Sequence, residues 1–81
     1  MAKSAASYFK GHNFMTPNVI KYYNTKLYAV ELSSGRGIYN QPIYGVSVID
    51  KGTKELRPDK STLFQHQVLA EEYIEQLELE E

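Results

Sequence analysis

The spacing of apolar and polar positions changes period once along the chain. Lys26 to Ser33 and Pro42 to Asp50 are rich in β-branched and aromatic residues and are bounded by turn formers, so both read as strands. Tyr28, Val30 and Leu32 point to one side of the first, and Tyr44, Val46 and Val48 form the matching set on the second. One face of this sheet is therefore continuously apolar and should be the core. From Thr62 to Leu79 the period becomes helical: Leu63, His66, Ala70, Tyr73, Ile74 and Leu77 share one side, while Glu71, Glu72, Glu75 and Glu78 lie on the other. Thr62 with Gln65 has the form of a capping box, with Asp59 and Ser61 as rival caps. Burying three or four large apolar side chains of that stripe contributes about 5 to 10 kcal/mol before conformational entropy is subtracted, enough to hold the helix on the sheet.

The connecting segments are less marked. Thr16-Pro17 resembles an N-cap followed by proline at the first helical position, which favours a short helix over Pro17 to Tyr23. The competing reading is a strand, since Val19, Ile20, Tyr22 and Tyr23 favour extended structure and Asn24-Thr25 can make a hairpin turn. The helical turn is preferred. Asp50-Lys51-Gly52-Thr53 carries turn chemistry, with glycine at the left-handed position, and Lys54 to Arg57 reads as a charged edge strand ended by Pro58. Ala2 to Lys10 has room for two helical turns closed by Gly11, but no stripe requires them, so residues 1 to 14 are expected to be frayed or weakly ordered.

These elements predict one α+β domain over residues 1 to 81: a short antiparallel sheet of two to four strands packed on one face by a C-terminal amphipathic helix, with room for short N-terminal helical turns. A chain of this length buries only about 60% of its unfolded surface. It contains no cysteine, which excludes disulfides, thiolate metal sites and a nucleophilic thiol and fits a reducing compartment. The first residues lack the apolar run of a secretory signal, and no stretch has the length of a membrane span, so a cytoplasmic protein without a membrane partner is expected. The net charge of −1 conceals a division: residues 1 to 60 carry all nine Lys and Arg against four acids, whereas residues 61 to 81 carry six Glu and no base. Such a split suits either an internal electrostatic fit or two surfaces for different partners.

Candidate chemistry is sparse. Ser33-Ser34-Gly35-Arg36-Gly37-Ile38 superficially resembles an anion-binding glycine loop but lacks the Lys-Ser or Lys-Thr of a P-loop and the glycine spacing of a dinucleotide fingerprint. It reads as a connection in which glycines supply positive φ, with Arg36 as the group best able to grip a carboxylate or phosphate. His66 falls on the apolar side of the helix with no second histidine a turn away, and the glutamates form an ordinary solvated face. No catalytic residue, metal ligand or cofactor is therefore expected.

Two features point to binding. Seven tyrosines and three phenylalanines are many for 81 residues, and in the first half they interleave with bases. Lys10, Lys21, Tyr22, Tyr23 and Lys26 are the candidates for a single-stranded nucleic-acid surface, although no RNP-type aromatic motif is present. The second face of the sheet carries Leu27, Ala29 and Glu31 on one strand and Ile43, Gly45, Ser47 and Ile49 on the other. One helix cannot cover both faces, so the cover is the N-terminal segment, a second copy or another protein. Phe64 and Val68 fall outside the helix stripe, where they either pack under the Arg57 to Ser61 loop or form an apolar spot rimmed by Glu72 and Glu75. The leading expectation is a small non-catalytic accessory or regulatory protein that binds another protein, or itself as a homodimer, through Leu27, Ala29, Ile43, Ile49, Arg36, Tyr39, Phe64, Val68, Glu72 and Glu75. Nucleic-acid binding is the alternative.

Overall fold

The computed structural model describes Phe9 and residues 14–81. Four strands, β1 (Met15–Asn24), β2 (Tyr28–Arg36), β3 (Pro42–Asp50) and β4 (Thr62–Phe64), precede one helix, α1 (Gln67–Leu79). The strands form a single antiparallel sheet in the order β1-β2-β3-β4. Val30 stands opposite Val48 and Leu32 opposite Val46. These four, with Tyr28, meet Ala70, Ile74 and Leu77 of α1 in the core, and Tyr23, Tyr44, Phe64 and Tyr73 pack around its margin. The expected α+β arrangement, with one sheet face under a C-terminal helix, is the one observed.

Residues 17 to 23 belong to a strand, not to a helical turn. Their β-branched and aromatic side chains suit extended backbone, and pairing with β2 satisfies the main-chain groups on one side. Pro17 is tolerated because β1 is an edge strand and is bulged between Met15 and Asn18, where Thr16 adopts φ 49°. The helix likewise begins later than Thr62. Thr62, Leu63 and Phe64 pair with Val46, Gly45 and Tyr44, so the last strand takes the residues assigned to the first helical turn. No capping box forms: the N-cap is His66, which is exposed and makes no side-chain cap bond. Ser61 instead braces the preceding turn, its hydroxyl donating to Arg57 O (2.8 Å) and accepting from Val48 N–H (3.0 Å). The expected strand over Lys54 to Arg57 shrinks to one bridge, Ile49 to Leu56.

Glycine serves space here, not turn conformation. No described glycine has positive φ; Asn40 (64°) and Lys54 (66°) take the left-handed positions in the two turns. Gly35 and Gly45 lie on the second sheet face under two aromatic rings. A Cβ on Gly35 would fall 2.1 Å from Phe14 Cε1, and one on Gly45 would fall 2.7 Å from Phe14 Cε2 and 3.0 Å from Phe9 Cδ2. The rings are tilted, with centroids 5.8 Å apart, and both residues are buried. The chain's own N-terminal aromatics thus cover this part of the second face. The expected helical turns over Ala2 to Lys10, and the order of residues 1–8 and 10–13, lie outside the described residues.

Beneath this cover, Ser33 is fully buried opposite Gly45, and its hydroxyl has no hydrogen-bond partner among the described residues. Removing an unsatisfied buried hydroxyl relieves a desolvation penalty of about 1 to 3 kcal/mol. Ser33→Ala should therefore raise the thermal midpoint, whereas Phe14→Ala, which empties the space above Gly35 and Gly45, should lower stability by about 3 to 5 kcal/mol. Thermal and urea unfolding of the two variants beside the parent chain measures both.

Candidate interaction surface

The register gathers several exposed groups at one end of the sheet. Met15 pairs with Arg36, and Tyr44 pairs with Phe64, so the start of β1, the β2–β3 turn and the approach to α1 all lie there. The turn is held by Gly37 N–H on Gln41 O (2.8 Å), Asn40 N–H on Gly37 O (2.9 Å) and Tyr39 N–H on Gln41 Oε1 (2.9 Å). A turn with this bonding presents its side chains outward. Tyr39 is 86% exposed and Ile38 59%, and Arg36 beside them spends one guanidinium contact on Asn40 O (3.3 Å). Gln41 and Pro42 on one side, with Gln65 and His66 on the other, line a shallow cleft that joins the turn to the first residues of α1. There Val68 and Leu69 are 58% and 43% exposed.

The outer face of α1 follows from helical spacing. Ala70, Ile74 and Leu77 face the sheet, which turns Val68, Glu72, Glu75 and Leu79 to the opposite side. Phe64 is not part of that face. It lies on β4, half-buried, with its ring 5.4 Å from that of Tyr73, whose hydroxyl donates to Lys60 O. The joint Phe64 and Val68 spot is therefore dissolved, and Val68 instead neighbours Leu69.

The remaining candidates are scattered. Leu27 projects from the β1–β2 turn, exposed and outside the strand. Ala29 and Ile49 are cross-strand partners on the second face, half-buried, and Ile43 is half-buried opposite Gly35 at the end where Phe14 lies. Tyr22 and Tyr23 are consecutive in a regular stretch and point to opposite faces, so they cannot form one stacking platform. Lys21 Nζ lies 5.1 Å from the Tyr23 ring centroid, and this pair lines a cleft with Glu71, Ile74, Glu75 and Glu78. A phosphate backbone entering there would meet three carboxylates. Lys26 sits in the β1–β2 turn, and Lys10 lies outside the described residues.

Part of the charge division is an internal fit, one of the two readings that it suits, made through a residue that the sequence did not single out. The Glu81 side-chain carboxylate accepts from the Thr25 hydroxyl, from Lys26 N–H (2.8 Å) and from Leu27 N–H (3.1 Å), and so closes the β1–β2 turn. Burial pushes its pKa up, but these hydrogen bonds and the Lys51 charge outweigh it and hold the group below the usual carboxylate range. Asp50 is lowered mainly by N–H groups of Thr53 and Gly52, and Arg57 bridges Asp50 (3.4 Å) and Asp59 (2.9 Å). No signal at sequence level marked Glu81. Ile38, Leu69 and Leu79 were also missed, although the same wheel that isolates Val68 places Leu79 on its side.

Among the described residues no group of three or more His, Asp or Glu could hold a metal ion, and no helix is long and apolar enough to cross a membrane. The chain matches no protein-family model, no curated protein and no solved structure.

The Glu81 contacts carry a pH signature. Because its folded pKa is depressed, the stability it adds is present above the unfolded value of about 4.3 and is lost as pH falls through the folded value. Glu81→Gln should lower the thermal midpoint at pH 7, and the gap to the parent chain should narrow as pH falls below about 4.3. A gap constant from pH 7 to pH 3 would mean that the carboxylate charge plays no part.

Proposed function

We propose that this chain is a small non-catalytic accessory protein that works by binding another protein, and that the end of the sheet around Tyr39 is its contact surface. One observation carries the reading: Met15, Ile38, Tyr39, Val68 and Leu69, five of the nine exposed large apolar side chains among the described residues, lie at that end of the sheet. Scattered apolar side chains on a surface need no explanation, whereas a cluster with a polar rim is the usual anatomy of an interface. Tyr39 is its natural centre, being large, amphipathic and held by a bonded turn, and Arg36 beside it adds a charge-assisted donor. The cleft lined by Gln41, Pro42, Gln65 and His66 holds one titratable side chain, His66, with no acid or nucleophile in its lining to complete a catalytic set. A cytoplasmic setting accords with a chain free of cysteine.

The test is an affinity capture from the native host with the parent chain and with an Ile38→Ser, Tyr39→Ala double variant, each with and without nuclease. Both positions are exposed, so the variant should keep the parent's far-ultraviolet spectrum and thermal midpoint. We expect one or a few proteins that survive nuclease treatment and are lost with the variant. Identical captures by both chains, or captures abolished by nuclease, would overturn the reading, the latter in favour of a nucleic-acid partner.

A further inference from the structure

We propose a second interaction surface, the outer edge of β1, and infer that its occupant is β1 of a second copy of this chain. The proposal extends the protein-binding reading to a separate site. β1 is ten residues long and stands at the edge of the sheet. Among the described residues, no backbone hydrogen bond outside the β1–β2 ladder is made by residues 15 to 24. Natural edge strands are usually guarded by bulges, proline or charge. Here proline and bulges are confined to the first half: Pro17 and two bulges interrupt pairing between Met15 and Lys21, whereas Lys21 (the one charge of β1), Tyr22, Tyr23 and Asn24 pair one for one with Leu32, Glu31, Val30 and Ala29. This second half offers a regular edge, unpaired among the described residues. It also carries Tyr22, 70% exposed, next to Ile20, 42% exposed.

The occupant is argued from self-complementarity. Antiparallel pairing across a two-fold axis at Tyr22 sets Tyr22 against its own copy, Lys21 against Tyr23 of the second copy, and Ile20 against Asn24. The Lys21 to Tyr23 contact already made within one strand is then repeated between strands. Charge favours the same occupant. Lys21 and Tyr23 face the cleft walled by Glu71, Glu75 and Glu78, where one ammonium stands against three carboxylates. Lys21 of the second copy, lying across from Tyr23, brings another ammonium to that side. β1 itself contains no acid to oppose it.

Because the chain has no cysteine, a single engineered one reports the geometry cleanly. Residues directly opposite on antiparallel strands have Cβ atoms about 4.5 to 5.5 Å apart, close enough for a disulfide after a small adjustment. The full chain should sediment as a concentration-dependent dimer that weakens as salt rises. Tyr22→Lys, which sets like charges against each other across the axis, should raise the dimer dissociation constant by about tenfold or more while leaving the melting curve of the dilute chain unchanged. Under mild oxidation, Tyr22→Cys should cross-link far faster than the more exposed Tyr39→Cys. A chain that stays monomeric at the highest attainable concentration overturns the proposal. So does a dimer that is indifferent to Tyr22→Lys and in which Tyr22→Cys cross-links no faster than Tyr39→Cys. Since only the purified chain is used, failure here leaves the Tyr39 surface to stand or fall by its own capture experiment.

Discussion

The burial of Val30, Leu32, Val46 and Val48 under Ala70, Ile74 and Leu77 is the contact on which the rest of the molecule depends. A sheet of four strands, one of them only three residues long, has no lasting independent stability in water unless an apolar face is covered. The helix in turn is short, lacks a side-chain cap and carries no acidic residue in its first turn to favour its dipole. Each element is weak alone, and each supplies the surface that the other needs. The three inward positions of α1 are spaced four and three residues apart, which leaves the remaining circumference free to carry glutamates and the outward Val68 and Leu79.

The second face is closed by a different device. Two glycines leave a shallow trough, and two phenylalanine rings fill it at distances that no other residue type would permit. Aromatic packing of this kind depends on shape more than on area, so the covered zone is local to Gly35 and Gly45. Ala29 and Ile49, farther along the same face, keep part of their surface in solvent. The buried and unpaired Ser33 hydroxyl marks the cost of closing a polar position under an apolar cover.

The core was legible because period-2 alternation in Tyr28, Val30, Leu32 and in Tyr44, Val46, Val48 reports a physical fact, that one face of a strand is buried. The register of β2 against β3 follows from the same alternation. The errors arose where a local signal competed with a non-local one. Thr16-Pro17 has real N-cap chemistry, but the ladder with β2 outweighs it. Thr62 to Phe64 fits a helical wheel as well as a strand, and only the free edge of β3 decides the matter. The contact surfaces were harder still. Tyr39 and Val68 stood out by residue type, whereas the juxtaposition of Pro42 with His66, and the hold of Glu81 on a turn more than fifty residues away, are products of topology that no window of sequence contains.

The two borders of the sheet are unequal, and this asymmetry constrains any higher assembly. β4 offers three residues, and before them the chain bends through the Arg57 turn and lies against β3 through one isolated bridge at Leu56 and the bonds of Glu55, Arg57 and Ser61. Strand addition on that flank would find almost nothing to bond with. Growth through β1 would use up the one extended border among the described residues of each molecule and would stop at a closed pair, which leaves no long strand edge from which a fibre could propagate.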